Sequence, residues 1–216
     1  MTRWTWTLAA ATVGVLSSTV FSGLLQWPRH RFVAVHAALT ALLLILYVRA
    51  ERISIARQIE RRWKAGLIVG LFVGALIVRS VLEQPASPRP EGAELAGALA
   101  WYGVVYGVAD ALLLSVIPVL SIYGTQSDGT LTDAGARFRW AVIALVASAV
   151  VTALYHLGFA EYRGAQVLQP VLGNSIITLA YLLSGNPLAP VLAHVVMHGA
   201  AVLQGMETTM QLPPHY

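Results

Sequence analysis

About seven stretches of roughly 20 apolar residues, parted by short polar segments, govern what this chain can fold into. A hydrocarbon layer about 30 Å thick is crossed by about 20 helical residues at roughly 1.5 Å each. The windows run over Trp4–Gln26, Phe32–Arg49, Ala65–Leu82, Leu95–Tyr123, Phe138–Gly158, Val167–Ser184 and Leu188–Gln204. None shows the alternation of a strand, and lipid offers the backbone no hydrogen-bond partner, so each must satisfy its own amides as a helix. The expected fold is all-α: a polytopic transmembrane bundle forming one domain over 1–216. The fourth window exceeds one straight span, which predicts tilt, protrusion or a kink near Pro118.

Composition removes the competing classes. Only 11% of the 216 residues are charged and 57% are hydrophobic, where a soluble domain carries about a quarter charged. No cysteine is present, so disulfides and thiolate chemistry are excluded. The net charge is +4, and the basic residues gather at helix ends. That pattern sets topology and contacts lipid headgroups; it does not make a nucleic-acid surface. Trp4–Gln26 is an apolar run longer than the roughly 7–15 residues of a signal peptide and reads as a first span. Oligomeric state has no signature here.

Arg49, Arg52, Arg57, Arg61, Arg62 and Lys64 are six of the 14 basic residues. Their segment belongs in the cytoplasm, which puts the N-terminus with Arg3 inside a bacterial-type inner membrane and the proline-rich Gln84–Gly92 loop outside. Arg137 and Arg139 agree; Arg29 and Arg31 run against it. Ile55, Ile59 and Trp63 recur at spacing four, which predicts an interfacial amphipathic helix on anionic lipid. Gly66, Gly70 and Gly74, and again Gly103 and Gly107, share that spacing and predict close helix contacts. The tail QLPPHY reads as frayed.

Against this apolar background four ionisable residues stand out: Asp110, His156, His194 and His198. Such groups cost roughly 2.5–3.5 kcal/mol at the bilayer centre on insertion scales, so they persist with a partner or a task. His194 and His198 project from one helix face. Asp110 needs a neighbouring cation, and a carboxylate beside an imidazole can hold a water and take its proton. The same four side chains also compose a three-nitrogen, one-oxygen set suited to a divalent metal such as zinc. Gly103 and Gly107 lie on the face of Asp110 and could admit a close neighbour. His36 is isolated in its window and reads as packing or a helix contact, Asn174 as an interhelical hydrogen bond, and Thr152 as bonded to its own backbone.

Three stretches in order resemble the CAAX-protease and bacteriocin-processing (CPBP) family of intramembrane proteases. GVADALLLSVI is similar to its Glu-Glu-x-x-x-Arg segment, with Asp110 at the first glutamate. TALYHLG resembles Phe-x-x-x-His, with His156 at the histidine and Thr152 at the phenylalanine. SGNPLAPVLAHVVMH resembles the turn that leads into a His-x-x-x-Asn helix, with His194 and His198 at the paired positions. The second glutamate is Ala111 and the arginine is Ser115. The family-like core covers about 95–205. The resemblance implies an intramembrane peptidase in which Asp110 activates water, His156 is its partner, and His194 with His198 stabilise the oxyanion. Its substrate would be a peptide or lipidated protein. The departures at Ala111 and Ser115 favour a catalytically inactive scaffold or partner protein, and the four residues by themselves offer a further alternative, a metal-binding bundle.

Overall fold

The computed structural model describes residues 3–123 and 133–212. Its helices are α1 (Trp4–Leu24), α2 (Arg29–Glu51), α3 (Ile55–Glu60), α4 (Trp63–Leu82), α5 (Gly92–Tyr123), α6 (Ala134–Leu157), α7 (Gly164–Ser184) and α8 (Leu188–Gln204). No strand occurs among the described residues. Among the described residues six helices are long and apolar enough to cross a membrane, while α8 is a shorter apolar helix of 17 residues. The fold is thus the expected all-α membrane bundle, with six full-length spans and one shorter helix in place of seven equal ones.

α5 is the axis of the bundle. Buried residues make up 78% of its apolar window, against 28% to 39% in the other spans. It runs through Pro118 as a continuous helix with π-helical stretches at Leu99–Val105 and Ala111–Val116. Pro118 has no N–H to give the carbonyl one turn back, Leu114 O. Ser148 Oγ of α6 donates to that oxygen at 2.6 Å, and Asn174 Nδ2 of α7 lies 3.4 Å away. Neighbouring helices thereby supply the hydrogen bond that lipid cannot. The missing amide becomes a polar anchor among three helices.

α4 packs along α8 through the predicted glycine face. A Cβ at Gly70 would stand 2.7 Å from Ala189 O, and one at Gly74 would stand 3.0 Å from Val196 Cβ. Gly66 makes room for Asn186, whose Nδ2 reaches the Ile59 and Arg61 carbonyls at 2.7 and 2.6 Å. Asn186 Oδ1 accepts from Leu188 N at 2.8 Å and starts α8. α6 starts on Asp133, which accepts from Ala136 N at 2.8 Å. That N–H holds the Asp133 carboxyl below the usual aspartate range.

Two expectations change. The segment Arg49–Lys64 is not one amphipathic helix, because Arg52 and Arg62 adopt left-handed φ values of 53° and 59°. These breaks leave α3 with six residues and put Trp63 on α4, off the face of Ile55 and Ile59. The tail is not frayed at its start: Leu212 is buried against Val81, Ala98, Ala201 and Val202. The remaining tail residues, with His215, lie outside the described residues.

Candidate functional site

Asp110 sits on the inward face of α5, buried, one turn after Gly107. A Cβ at Gly107 would approach Val195 Cα to 3.0 Å, and one at Gly103 would approach Gly199 Cα to 3.2 Å. The neighbour admitted by these glycines is therefore α8, the helix that carries His194 and His198. Small residues on α5 bring two imidazoles to the carboxylate.

The carboxylate is shared between two histidines. His36 Nε2 of α2 lies 3.0 Å from Asp110 Oδ1. His198 Nε2 lies 3.3 Å from Oδ2, within ion-pair range but without the alignment of a hydrogen bond. His36 Nδ1 is 3.3 Å from Ser17 Oγ of α1. Ser17 makes shorter bonds to Val13 O (2.8 Å) and Gly14 O (3.1 Å), which assigns its proton to the main chain. His36 thus bridges Ser17 and Asp110, one ring nitrogen on each. Phe32 stacks on His36 with ring centroids 5.7 Å apart, and Tyr155 lies 5.1 Å away, so the pair is walled from lipid by rings.

The other two histidines point their chemistry elsewhere. His156 Nδ1 donates to Thr152 O at 2.8 Å, and His194 Nδ1 donates to Pro190 O at 3.0 Å. A proton fixed on Nδ1 makes Nε2 the lone-pair nitrogen of each neutral ring. The His194 and His198 rings stack with centroids 6.0 Å apart. Among the described residues neither ring nitrogen of His198 has a hydrogen-bond partner, although the side chain is buried. An orphaned buried imidazole of this kind is costly unless something arrives to use it.

Asp110, His156, His194 and His198 all line one cavity of about 190 Å³, together with Tyr106 and Asn174. The sequence-predicted residues are thus brought to one place, but not in the pairing the resemblance implied. The hydrogen-bond partner of Asp110 is His36, with His198 beside it, and His156 instead answers to its own backbone. Nor do they form the tetrahedral metal set: among the described residues no three His, Asp or Glu side chains are grouped to hold an ion. The Nδ1 atoms of His156 and His194 are committed to carbonyls, and the carboxylate is held between His36 and His198.

His36 is the residue sequence reasoning missed. Its partner is 74 positions away on another helix, and no local spacing connects them. The only hint was the cost of an imidazole alone in an apolar window. Ser115, at the arginine position of the resemblance, donates to Asn174 Oδ1 at 3.0 Å and contacts Thr178 Oγ1 at 2.9 Å. Asn174 Nδ2 donates to Thr152 Oγ1 at 2.7 Å, and Thr152 Oγ1 itself bonds Ser148 O. A neutral network thus stands there, and the partner of Asp110 comes from α2.

Replacing His36 by Phe should destabilise the protein by about 3–5 kcal/mol, because it strands a buried carboxyl. The double variant Asp110→Leu with His36→Phe should be more stable than His36→Phe alone. Thermal unfolding in detergent measures both, and additive losses would show that the two side chains are not coupled.

Residues 129–200, about a third of the chain, match the family model described as type II CAAX prenyl endopeptidase Rce1-like. The match contains His156, His194 and His198, and ends before Gly205. No curated protein and no solved structure matches the chain.

Proposed function

As this chain is a divergent member of the CAAX-protease and bacteriocin-processing family, we propose that it is an intramembrane peptidase that hydrolyses a peptide bond with water activated at Asp110. One observation carries the reading: a buried carboxyl and three imidazoles line the same partly open cavity. Each carboxylate oxygen has two acceptor sites, so Asp110 can hold a water while contacting His36 and His198.

In this reading Asp110 takes a proton from the water as its oxygen attacks the peptide carbonyl carbon. The developing oxyanion is met by an N–H of His198, whose ring nitrogens have no hydrogen-bond partner among the described residues, and His194, held through Nδ1 by Pro190 O, orients the stacked His198 ring. Collapse of the tetrahedral intermediate breaks the C–N bond, and the proton taken from water leaves with the amine. His156, with Nε2 as its lone-pair nitrogen, serves as a second proton acceptor on the cavity wall. His36 is a positioning residue: it orients the carboxylate and balances its charge.

The test is cleavage of peptide and lipidated-peptide substrates by the reconstituted chain, followed by mass spectrometry, with Asp110→Asn as the control. Product formed equally by both proteins overturns the role of Asp110. No product from either supports the inactive-scaffold reading, which the neutral Ala111 and Ser115 favour.

The basic end of the bundle carries the orientation. Arg49–Lys64, with Arg137 and Arg139, lies at the end opposite the Gln84–Gly92 loop and Tyr162. By the positive-inside rule that end and the N-terminus are cytoplasmic, and the cavity lies nearer the other face. On intact cells an impermeant thiol reagent should label Glu91→Cys and spare Arg57→Cys; the reverse pattern inverts the topology.

A further inference from the structure

After α8 the chain turns back across the end of the bundle instead of leaving it. The turn is made at Gly205, whose φ of +149° is open to glycine and strained for other residues. A Cβ there would stand 2.1 Å from Ser87 Oγ and 2.5 Å from Ser87 N. The chain is thereby laid along the Gln84–Gly92 loop: Ser87 N bonds Gln204 O, Met206 N bonds Pro88 O, and Glu207 N bonds Ser87 Oγ.

Beyond that point two side chains grip the main chain. Gln84 Oε1 accepts from Met210 N at 2.8 Å while its Nε2 donates to Gln211 Oε1 at 2.9 Å. Tyr162 donates its hydroxyl to Met210 O at 2.5 Å. Burial pushes the Tyr162 phenol well above its ordinary range, so it remains a donor. Met210, Gln211 and Leu212 then form part of the wall of the cavity that holds Asp110 and the histidines.

We infer that Gly205–Leu212 is a strap that closes this cavity at rest and swings off its Gln84 and Tyr162 anchors to admit a ligand. The inference rests on the peptidase reading for what the ligand is, but not for the closure itself. Its anchors suit a moving part. At the cavity rim Gln84 and Tyr162 hold it by polar contacts that each stabilise by little, while its root is held by Ser87, Pro88 and Arg29, which donates to Met206 O at 2.6 Å, and Leu212 must leave its apolar seat for the strap to swing. The strap arises from one end of α8, so a displacement at Gly205 leaves His194 and His198, two or more turns away, in place.

The chain contains no cysteine, which permits a direct test on the full protein. Gly173→Cys puts a single thiol on the cavity wall, where an added Cβ meets nothing within 4 Å. Its rate of modification by a charged, water-soluble methanethiosulfonate is measured in detergent. The Gln84→Ala and Gly205→Ala backgrounds should each raise that rate roughly tenfold, as expected for lost strap contacts. A thiol at the exposed Gly97 should react at one rate in all three backgrounds. Equal rates at Gly173→Cys overturn the strap, as does a parallel rise at Gly97→Cys, which signals a loosened bundle. The readout needs no cleavage, so failure here and failure of the Asp110→Asn assay are separate results.

Discussion

Asp110→Asn is expected to lower peptide cleavage by about 10²–10⁴-fold, the usual span for loss of a positioned proton-transfer group. Asparagine keeps the volume and can still hydrogen-bond His36, so the fold should survive. It cannot take a proton from water, and it removes the negative charge that faces His36 and His198 across 3.0 and 3.3 Å. The comparison to make is kcat/KM for the two proteins at matched thermal stability. An unfolded variant would be uninformative, and Asp110→Glu provides the second arm. Its added methylene moves the carboxyl within a packed pocket, so activity should fall while the chemistry is kept. If Asp110→Glu and Asp110→Asn lose the same activity, placement and charge are both required; if neither loses any, another residue is the base.

Gly70→Val should be the most damaging substitution away from the site, with a loss of about 3 kcal/mol or more. The first added carbon already falls 2.7 Å from Ala189 O and 2.9 Å from Ala189 Cα, and both of those are backbone atoms that no rotamer change can move. α4 and α8 must separate, and α8 carries His194 and His198. Midpoint temperature in detergent should fall, and reactivity at the cavity should change with it. Gly97→Val, at a position with open space around it, is the matched control and should leave the midpoint nearly unchanged. Equal midpoints for the two variants would mean that α4 and α8 do not depend on backbone contact.

Much of this was legible in one dimension because lipid is a strict solvent. It demands helices of a set length and penalises each ionisable group, so apolar windows located the spans and the leftover polar residues located Asp110, His156, His194 and His198. The glycine spacing pointed to close contact on the right faces, and the structure supplies the partner: α8 for both α4 and α5. Local rules failed where the chain meets itself at long range. His36 looked isolated because Asp110 is on another helix; the interhelical bond expected of Asn174 and the backbone bond expected of Thr152 both form, but nothing local joins them with Ser115 in one network. Leu212 looked like tail because its burial depends on Val81 and Ala98, far away in sequence.

The sequence by itself determined the number and sequence of helices to within one span, and which few residues had to be sheltered from lipid. Length, hydropathy and the cost of a buried charge act on each segment alone, so they can be read without coordinates. Only the tertiary structure decided who meets whom: His36 at Asp110, Ser148 at the carbonyl freed by Pro118, and Met210–Leu212 at the wall of the cavity. Those pairings follow from how helices dock, and docking is fixed by shape and small residues summed over the bundle rather than by any local pattern.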